Sequence, residues 1–328
     1  MKRLAAIAAV VPAALAVRRY RAARDAMADV APDLRSPLLP FMPSTRRAGL
    51  LPLFRLSSRI RTPSGSGVTV AERRVGELAV PVMVTTPTEV QPPRPAVLWI
   101  HGGGYIVGSP RLEAFGTARL ARDLGVVTVS PDYRLAPEHP FPAALDDCMA
   151  VLRWMRDNAD ELGIDPARIA VMGASAGGGL AAAVAQRSHD EGIGLRAQVL
   201  VYPMLDDRTA LRTDHEGRGR FLWTPASNRF GWTCYLGREP RMSDAPQYAA
   251  PARRTDLAGL PPTWVGVGDL DLFYREDVDY AERLRAGGVP CTLVTIPGMY
   301  HGADAFASKS LSLRGFHSGA QDHLRTYL

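Results

Sequence analysis

The stretch "RIAVMGASAGGGLAAAVAQRS" (residues 168–188) places three local signals end to end. Residues 168–174 are a short apolar run without alternation, which suits a strand buried on both faces. The Ala-rich residues that follow favour a helix over about 177–190. Between the two lies "GASAG" (173–177), a G-x-S-x-G match at a strand-to-helix turn. That context exposes the serine at the tip of a sharp, strained turn. Positions two residues to either side must then be small, and Gly173 and Gly177 are. Gly178 and Gly179 let the helix approach the sheet closely. The helix N-terminus also brings the positive end of its dipole beneath Ser175. The five-residue match is a modest signal by itself; the flanking strand and helix make it specific.

Working outward, similar apolar runs recur at 96–101, 126–130, 197–202, 263–268 and 291–296. Helix-like segments near 113–124, 143–160, 275–286 and 310–327 separate them. This alternation predicts a mostly parallel central sheet with helices on both faces. "GVTVAERRVGELAVPVMVTT" (67–86) reads as two antiparallel strands at a sheet edge. Residues 204–262 offer no clear core strand and read as an insertion above the sheet.

The second informative stretch is "LWIHGGGYIVG" (98–108). Three consecutive glycines are costly to order, so their bare backbone must serve a purpose. A phosphate cradle is excluded: Val107 stands where G-x-G-x-x-G needs its third Gly, and neither lysine follows a glycine. An oxyanion hole fits. Attack by a serine on an acyl carbonyl puts charge on its oxygen, and preorganised backbone N–H groups stabilise that charge. One donor comes from the residue after the nucleophile, Ala176; the others come from a Gly-rich loop after an early strand.

A serine hydroxyl needs a base, and the base needs an orienting acid, in the chain order Ser, acid, His. His301, His317 and His323 follow Ser175 at suitable distances. His301 lies just after the last strand, whereas His317 and His323 fall in a helical pattern and read as surface residues. The acid belongs after the strand "TWVGVGDLDLF", which offers Asp269 and Asp271. Spacing alone leaves that choice open. In "DYRLAPEHPFP" (132–142), Arg134 and Glu138 are placed to pair, the prolines fix a loop beside the HGGG turn, and His139 reads as part of that loop.

Together, "HGGGYIVGS", "PDYRLAPEHPFPAALDD", "GASAGGGLAA", "YPMLDDR", "GDLDLFYRED" and "GMYHGAD" resemble the hormone-sensitive lipase family of α/β-hydrolases, the bacterial family IV carboxylesterases. The resemblance spans about residues 68–305. It implies an α/β-hydrolase fold with a helical cap. It also implies oxyanion donors from Gly103 and Gly104 beside Ala176, and a triad of Ser175, Asp271 and His301. Asp271 is chosen over Asp269 because the family's acid opens a D-x-x-x-x-E pattern, here closed by Glu276. Ala174 stands where many members carry Asp or Thr, and Leu272 where Pro is usual. The implied activity is cofactor-free and metal-free hydrolysis of short- to medium-chain acyl esters through an acyl-enzyme on Ser175. The alternatives are a ligand-binding protein on the same fold, or an amidase, lactonase or acyltransferase with the same triad. Plant gibberellin receptors resemble the family but lack the catalytic His.

The net charge of +6 resides in residues 1–47, where Lys2 and eight arginines face Asp25, Asp29 and Asp33. The neutral remainder gives no support to a nucleic-acid groove. Cys148, Cys234 and Cys291 are far apart and form no disulfide framework or metal motif. Leu4–Val17 is apolar but short for a membrane span. Val17, Tyr20, Ala23, Met27 and Val30 then recur at helical spacing, which predicts a helix packed on the protein. A membrane-surface helix giving weak contact is the alternative, and a signal peptide over residues 1–16 another. The resulting division is residues 1–60, an N-terminal arm with cap helices, and residues 61–328, a catalytic domain with a cap insertion over about 204–262. A cytoplasmic enzyme acting on a small acyl ester is the expectation.

Overall fold

The strand that leads into GASAG is the longest of the sheet and starts four residues before the apolar run, spanning Ile164–Ala174 (β5). Its structure is a computed structural model that describes residues 20, 23–42, 49, 51–57, 65–307 and 309–328. The other strands are β1 (Val68–Val75), β2 (Val80–Pro87), β3 (Arg94–Ile100), β4 (Val127–Pro131), β6 (Gln198–Val201), β7 (Thr263–Gly268) and β8 (Cys291–Ile296). They form one eight-stranded sheet in the order β1-β2-β4-β3-β5-β6-β7-β8. β2 pairs antiparallel with both β1 and β4, and all other pairs are parallel.

The central apolar runs lack alternation because both faces are buried; β8, at the sheet edge, is only half-buried. Ala96, Leu98, Ile100, Ile169 and Val171 enter one core, while Val97, Ala170 and Met172 enter the other. Helices α4 (Ala143–Asp157), α5 (Ala159–Leu162), α6 (Ala176–Asp190) and α8 (Tyr274–Ala286) cover the first face. The second is covered by α1 (residues 23–29), α3 (Ala114–Leu124) and α10 (Leu311–Tyr327). This is an α/β-hydrolase fold.

Among the described residues, 204–262 add no strand. They hold two 3-10 turns, Asp207–Leu211 and Pro251–Arg253, and helix α7 (Pro225–Leu236). The side chain of Thr224 caps α7 by accepting from Ser227 N at 3.3 Å, Pro225 opens it, and Gly237 ends it at φ +67°. Helix α2 (Leu51–Ser57) packs Leu51 against Ile106, Ala136 and Cys234.

The helical spacing near the N-terminus takes shape as α1. Ala26 and Val30 are buried, and Ala23 and Met27 pack on the second core, while Tyr20 is exposed. Beyond α1, Ala31 N donates to Gly298 O at 3.0 Å, and Leu34 O accepts from Tyr300 Oη at 3.3 Å. Asp33 accepts from the backbone and hydroxyl of Ser312 at 3.2 and 2.9 Å. The run Leu4–Val17 lies outside the described residues. No described helix is long and apolar enough to cross a membrane.

Candidate active site

Ser175 occupies the turn between β5 and α6 at φ +57°, ψ −123°, a conformation that a non-glycine residue holds only at a cost of about 1–3 kcal/mol. The surroundings impose it. Its N–H donates to Val201 O at 2.9 Å, and its carbonyl accepts from Gly179 N at 3.0 Å and Met204 N at 2.9 Å. A Cβ on Gly173 would lie 2.1 Å from Gly177 O, and one on Gly177 2.1 Å from Ile100 O. The turn therefore closes only around glycines.

The loop after β8 brings His301 to the serine. His301 Nε2 lies 2.9 Å from Ser175 Oγ, and Nδ1 lies 2.7 Å from Asp271 Oδ2. A carboxylate only accepts, so Nδ1 carries the proton and Nε2 presents its lone pair to the hydroxyl. The other oxygen of Asp271 accepts from Phe273 N at 2.9 Å. Asp271 is fully buried, and Ser175 and His301 are 6% and 8% exposed. Tyr202 and Phe273 set their rings edge-on to His301, at centroid distances of 4.8 and 5.2 Å. Asp269 faces elsewhere and accepts from Gly298 N at 2.7 Å. His317 and His323 stand apart from this cluster. The surface reading is corrected for both: His317 is half-buried, and His323 is buried with Nε2 3.2 Å from Pro262 O. His323 lies on the same face of α10 as Leu313, Phe316 and Ala320, and that face is the one turned to the core.

The glycines after β3 lie beside the serine. Gly102 N–H is taken by Glu113 Oε1 at 3.2 Å. Gly103 has φ +117° and Gly104 φ +61°. A Cβ on Gly104 would meet the Trp223 ring at 2.1 Å. Ala176 is the first residue of α6, so its N–H has no intrahelical acceptor. His101 supports the loop from below. Its Nδ1 donates to Gly102 O at 2.8 Å, and its ring stacks on Tyr133 at 4.1 Å. Burial lowers its pKa to about 4, against the backbone acceptor that raises it, so the ring is neutral.

The loop 132–142 abuts the HGGG turn, with Ala136 N donating to Tyr105 O at 2.9 Å, and His139 is exposed. The expected Arg134–Glu138 pair does not form. Arg134 binds the buried carboxylate of Asp147 at 2.8 Å, and Glu138 pairs with Arg55 of α2 at 2.9 Å. Asp147 wins because α4 folds back under the loop and offers a desolvated acceptor for the guanidinium and for Arg134 N, the latter at 2.8 Å. Glu276 is buried and accepts from Leu205 N, Asp206 N and Thr209 Oγ1, fastening the segment after β6. Burial first, and Asp206 second, push its carboxyl well above the usual range.

Three neighbours of the site were given no role by the motifs, Tyr202 among them although it opens YPMLDDR. Trp223 covers Gly104 and lies 6.3 Å from His301 between ring centroids; Tyr202 flanks the base; Glu113 holds the glycine loop. The first comes from an insertion without periodic signal. The other two are single residues whose roles depend on long-range packing. Among the described residues, no group of three His, Cys, Asp or Glu side chains is placed to hold a metal ion.

Residues 97–305 match the model of a family described as having the alpha/beta hydrolase fold. The chain belongs to this family, in the hormone-sensitive lipase branch to which its motifs point. It is 38% identical over 250 residues to carboxylesterase NlhH of Mycobacterium tuberculosis, covering 73% of this chain and 76% of that one. It is 31% identical to arylacetamide deacetylase of Oryctolagus cuniculus over 78% of each chain. Among solved structures, a bacterial heroin esterase superposes with a TM-score of 0.84 at 34% identity, covering 92% of this chain and 99% of that one.

Proposed function

We propose that the protein is a serine carboxylesterase that hydrolyses small acyl esters through an acyl-enzyme on Ser175. The observation that carries this is the continuous chain Ser175 Oγ, His301, Asp271, at 2.9 and 2.7 Å, with the carboxylate buried. In this reading His301 Nε2 takes the hydroxyl proton as Ser175 attacks the ester carbon. Asp271 steadies the imidazolium that forms. The oxyanion is met by N–H groups of Gly103, Gly104 and Ala176. His301 then protonates the leaving alkoxide. Water attacks the acyl-enzyme by the same route in reverse, releasing the carboxylic acid and restoring Ser175. No cofactor or metal takes part.

The segment 204–262 serves as a cap, with α2 and the arm completing it. Its Trp223 ring occupies space beside the oxyanion loop, which favours short to medium acyl chains. The names of the relatives support ester hydrolysis, and the presence of His301 argues against a binding protein on the same fold. We further propose that the enzyme works in the cytoplasm and that residues 1–24 give weak, salt-sensitive contact with anionic membrane surfaces. Co-sedimentation with anionic vesicles at low salt tests that contact. The function itself is tested on p-nitrophenyl acetate. Ser175→Ala should lower kcat on the order of 10⁶-fold with the fold intact, and an organophosphonate should label Ser175. A folded variant with near-normal activity, or labelling of another serine, refutes the proposal.

A further inference from the structure

Glu113 occupies the position just before α3, where a short polar side chain ordinarily caps the helix by accepting from its first-turn N–H groups. It makes no such bond. Its carboxylate turns back to β3 and the glycine loop instead. One oxygen accepts from Trp99 Nε1, and the other accepts from Gly102 N at 3.2 Å. The carbonyl of Gly102 is held by His101 Nδ1 at 2.8 Å, and the carbonyl of His101 by Tyr133 Oη at 2.9 Å. Both backbone groups of the first loop glycine are thus fixed by side chains. In the esterase reading the next two peptides donate to the oxyanion, and glycine has no side chain of its own to orient them.

We infer that Glu113 is a positioning residue for the oxyanion hole, acting through Gly102 to hold Gly103 and Gly104 in register with Ser175. This rests on the esterase reading above and adds a residue that its triad and oxyanion donors do not include. The role demands a carboxylate. Two N–H donors approach two different oxygens, so a group with one oxygen and one NH2 must abandon one of them. Protonation has a similar effect, because the hydroxyl oxygen becomes a poor acceptor. Burial raises the Glu113 pKa to about 7, against the Trp99 and Gly102 bonds that lower it. The titratable groups facing it are Asp304 of α9 (Asp304–Ala307), Tyr202 after β6 and Tyr133 after β4. Behind Asp304 stands His317 of α10.

The test compares the parent enzyme with Glu113→Gln on p-nitrophenyl acetate across pH. Loss of one of the two bonds should lower kcat about tenfold with KM nearly unchanged. Affinity for a trifluoromethyl ketone, which forms an oxyanion on the serine, should fall in parallel. The parent profile should show a partial, about tenfold step on acidification, and the variant should lack it. Trp99→Phe removes one donor, lets the Gln oxygen turn to Gly102, and should restore most of the activity in the double variant. A parent enzyme inert toward esters refutes the esterase reading instead. Glu113→Gln at parental kcat overturns the inference. So does a loss that Trp99→Phe leaves unrelieved, or one expressed in KM. If Glu113→Gln does not fold, a parent profile without the partial step overturns it.

Discussion

Replacing Asp271 with Asn exchanges one oxygen for an NH2 group at constant size. Two N–H groups face that carboxylate: Phe273 N at 2.9 Å on one oxygen and His301 Nδ1 at 2.7 Å on the other. The Phe273 amide is fixed in the turn before α8 and can only donate, so the Asn oxygen must face it. The Asn NH2 is then directed at His301 Nδ1, which must offer a lone pair. The imidazole proton moves to Nε2, the atom that has to accept the Ser175 hydroxyl proton. A base locked in the wrong tautomer costs about 10⁴-fold in kcat, or ~5.5 kcal/mol. Asp269 supplies the control. It accepts a single bond, from Gly298 N at 2.7 Å, which an Asn oxygen can also accept. Asp269→Asn should therefore cost less than about tenfold. Steady-state hydrolysis of p-nitrophenyl acetate, with thermal melts to show intact folding, separates the two. Equal losses, or a larger loss at Asp269, would refute the reasoning.

His101 is neutral and buried with its pKa lowered to about 4, so the unfolded chain binds its proton at higher pH than the native protein does. Its contribution is fully present above about pH 6.5 and is lost as pH falls toward 4, by at most about 3 kcal/mol. Urea melts of the parent should weaken across that window, and His101→Gln should show a flatter pH dependence. Trp223→Leu should widen the space over Gly104 and raise the hexanoate-to-acetate ratio of kcat/KM severalfold, since each buried methylene contributes about 0.8 kcal/mol. An unchanged ratio would place the acyl chain elsewhere.

The core strands were legible because runs such as 96–101 and 263–268 are apolar on both faces and bounded by turn residues, and they agree with β3 and β7 within about two residues. The serine turn was legible because its glycines answer a steric demand within five residues of chain. Helix α7 was missed: "ASNRFGWTCYL" lacks an apolar stripe and is poor in strong helix formers. Its Thr-Pro start and Gly237 end were readable signals, and burial of Trp232 and Tyr235 stabilises the helix between them. Arg134 misled because Glu138 is near in sequence, while Asp147 becomes near only once α4 docks. Whether Asp269 or Asp271 meets His301 depends on how the loop after β7 curls, and spacing does not encode that.

The brace between residues 31–34 and the loop at 298–300 has a consequence for the order of folding. Leu34 and Tyr300 are 266 positions apart, and Asp33 and Ser312 are 279 apart. During synthesis the N-terminal partners leave the ribosome long before the segment they clasp exists, and they must wait without an apolar surface to cover. Contacts of such long sequence separation carry the highest loop-closure entropy and form slowly. The loop that delivers His301 is therefore among the last parts of the molecule to be fastened, and activity should appear in refolding after the sheet has formed. The newborn chain would carry a complete serine turn while its base is still unsecured.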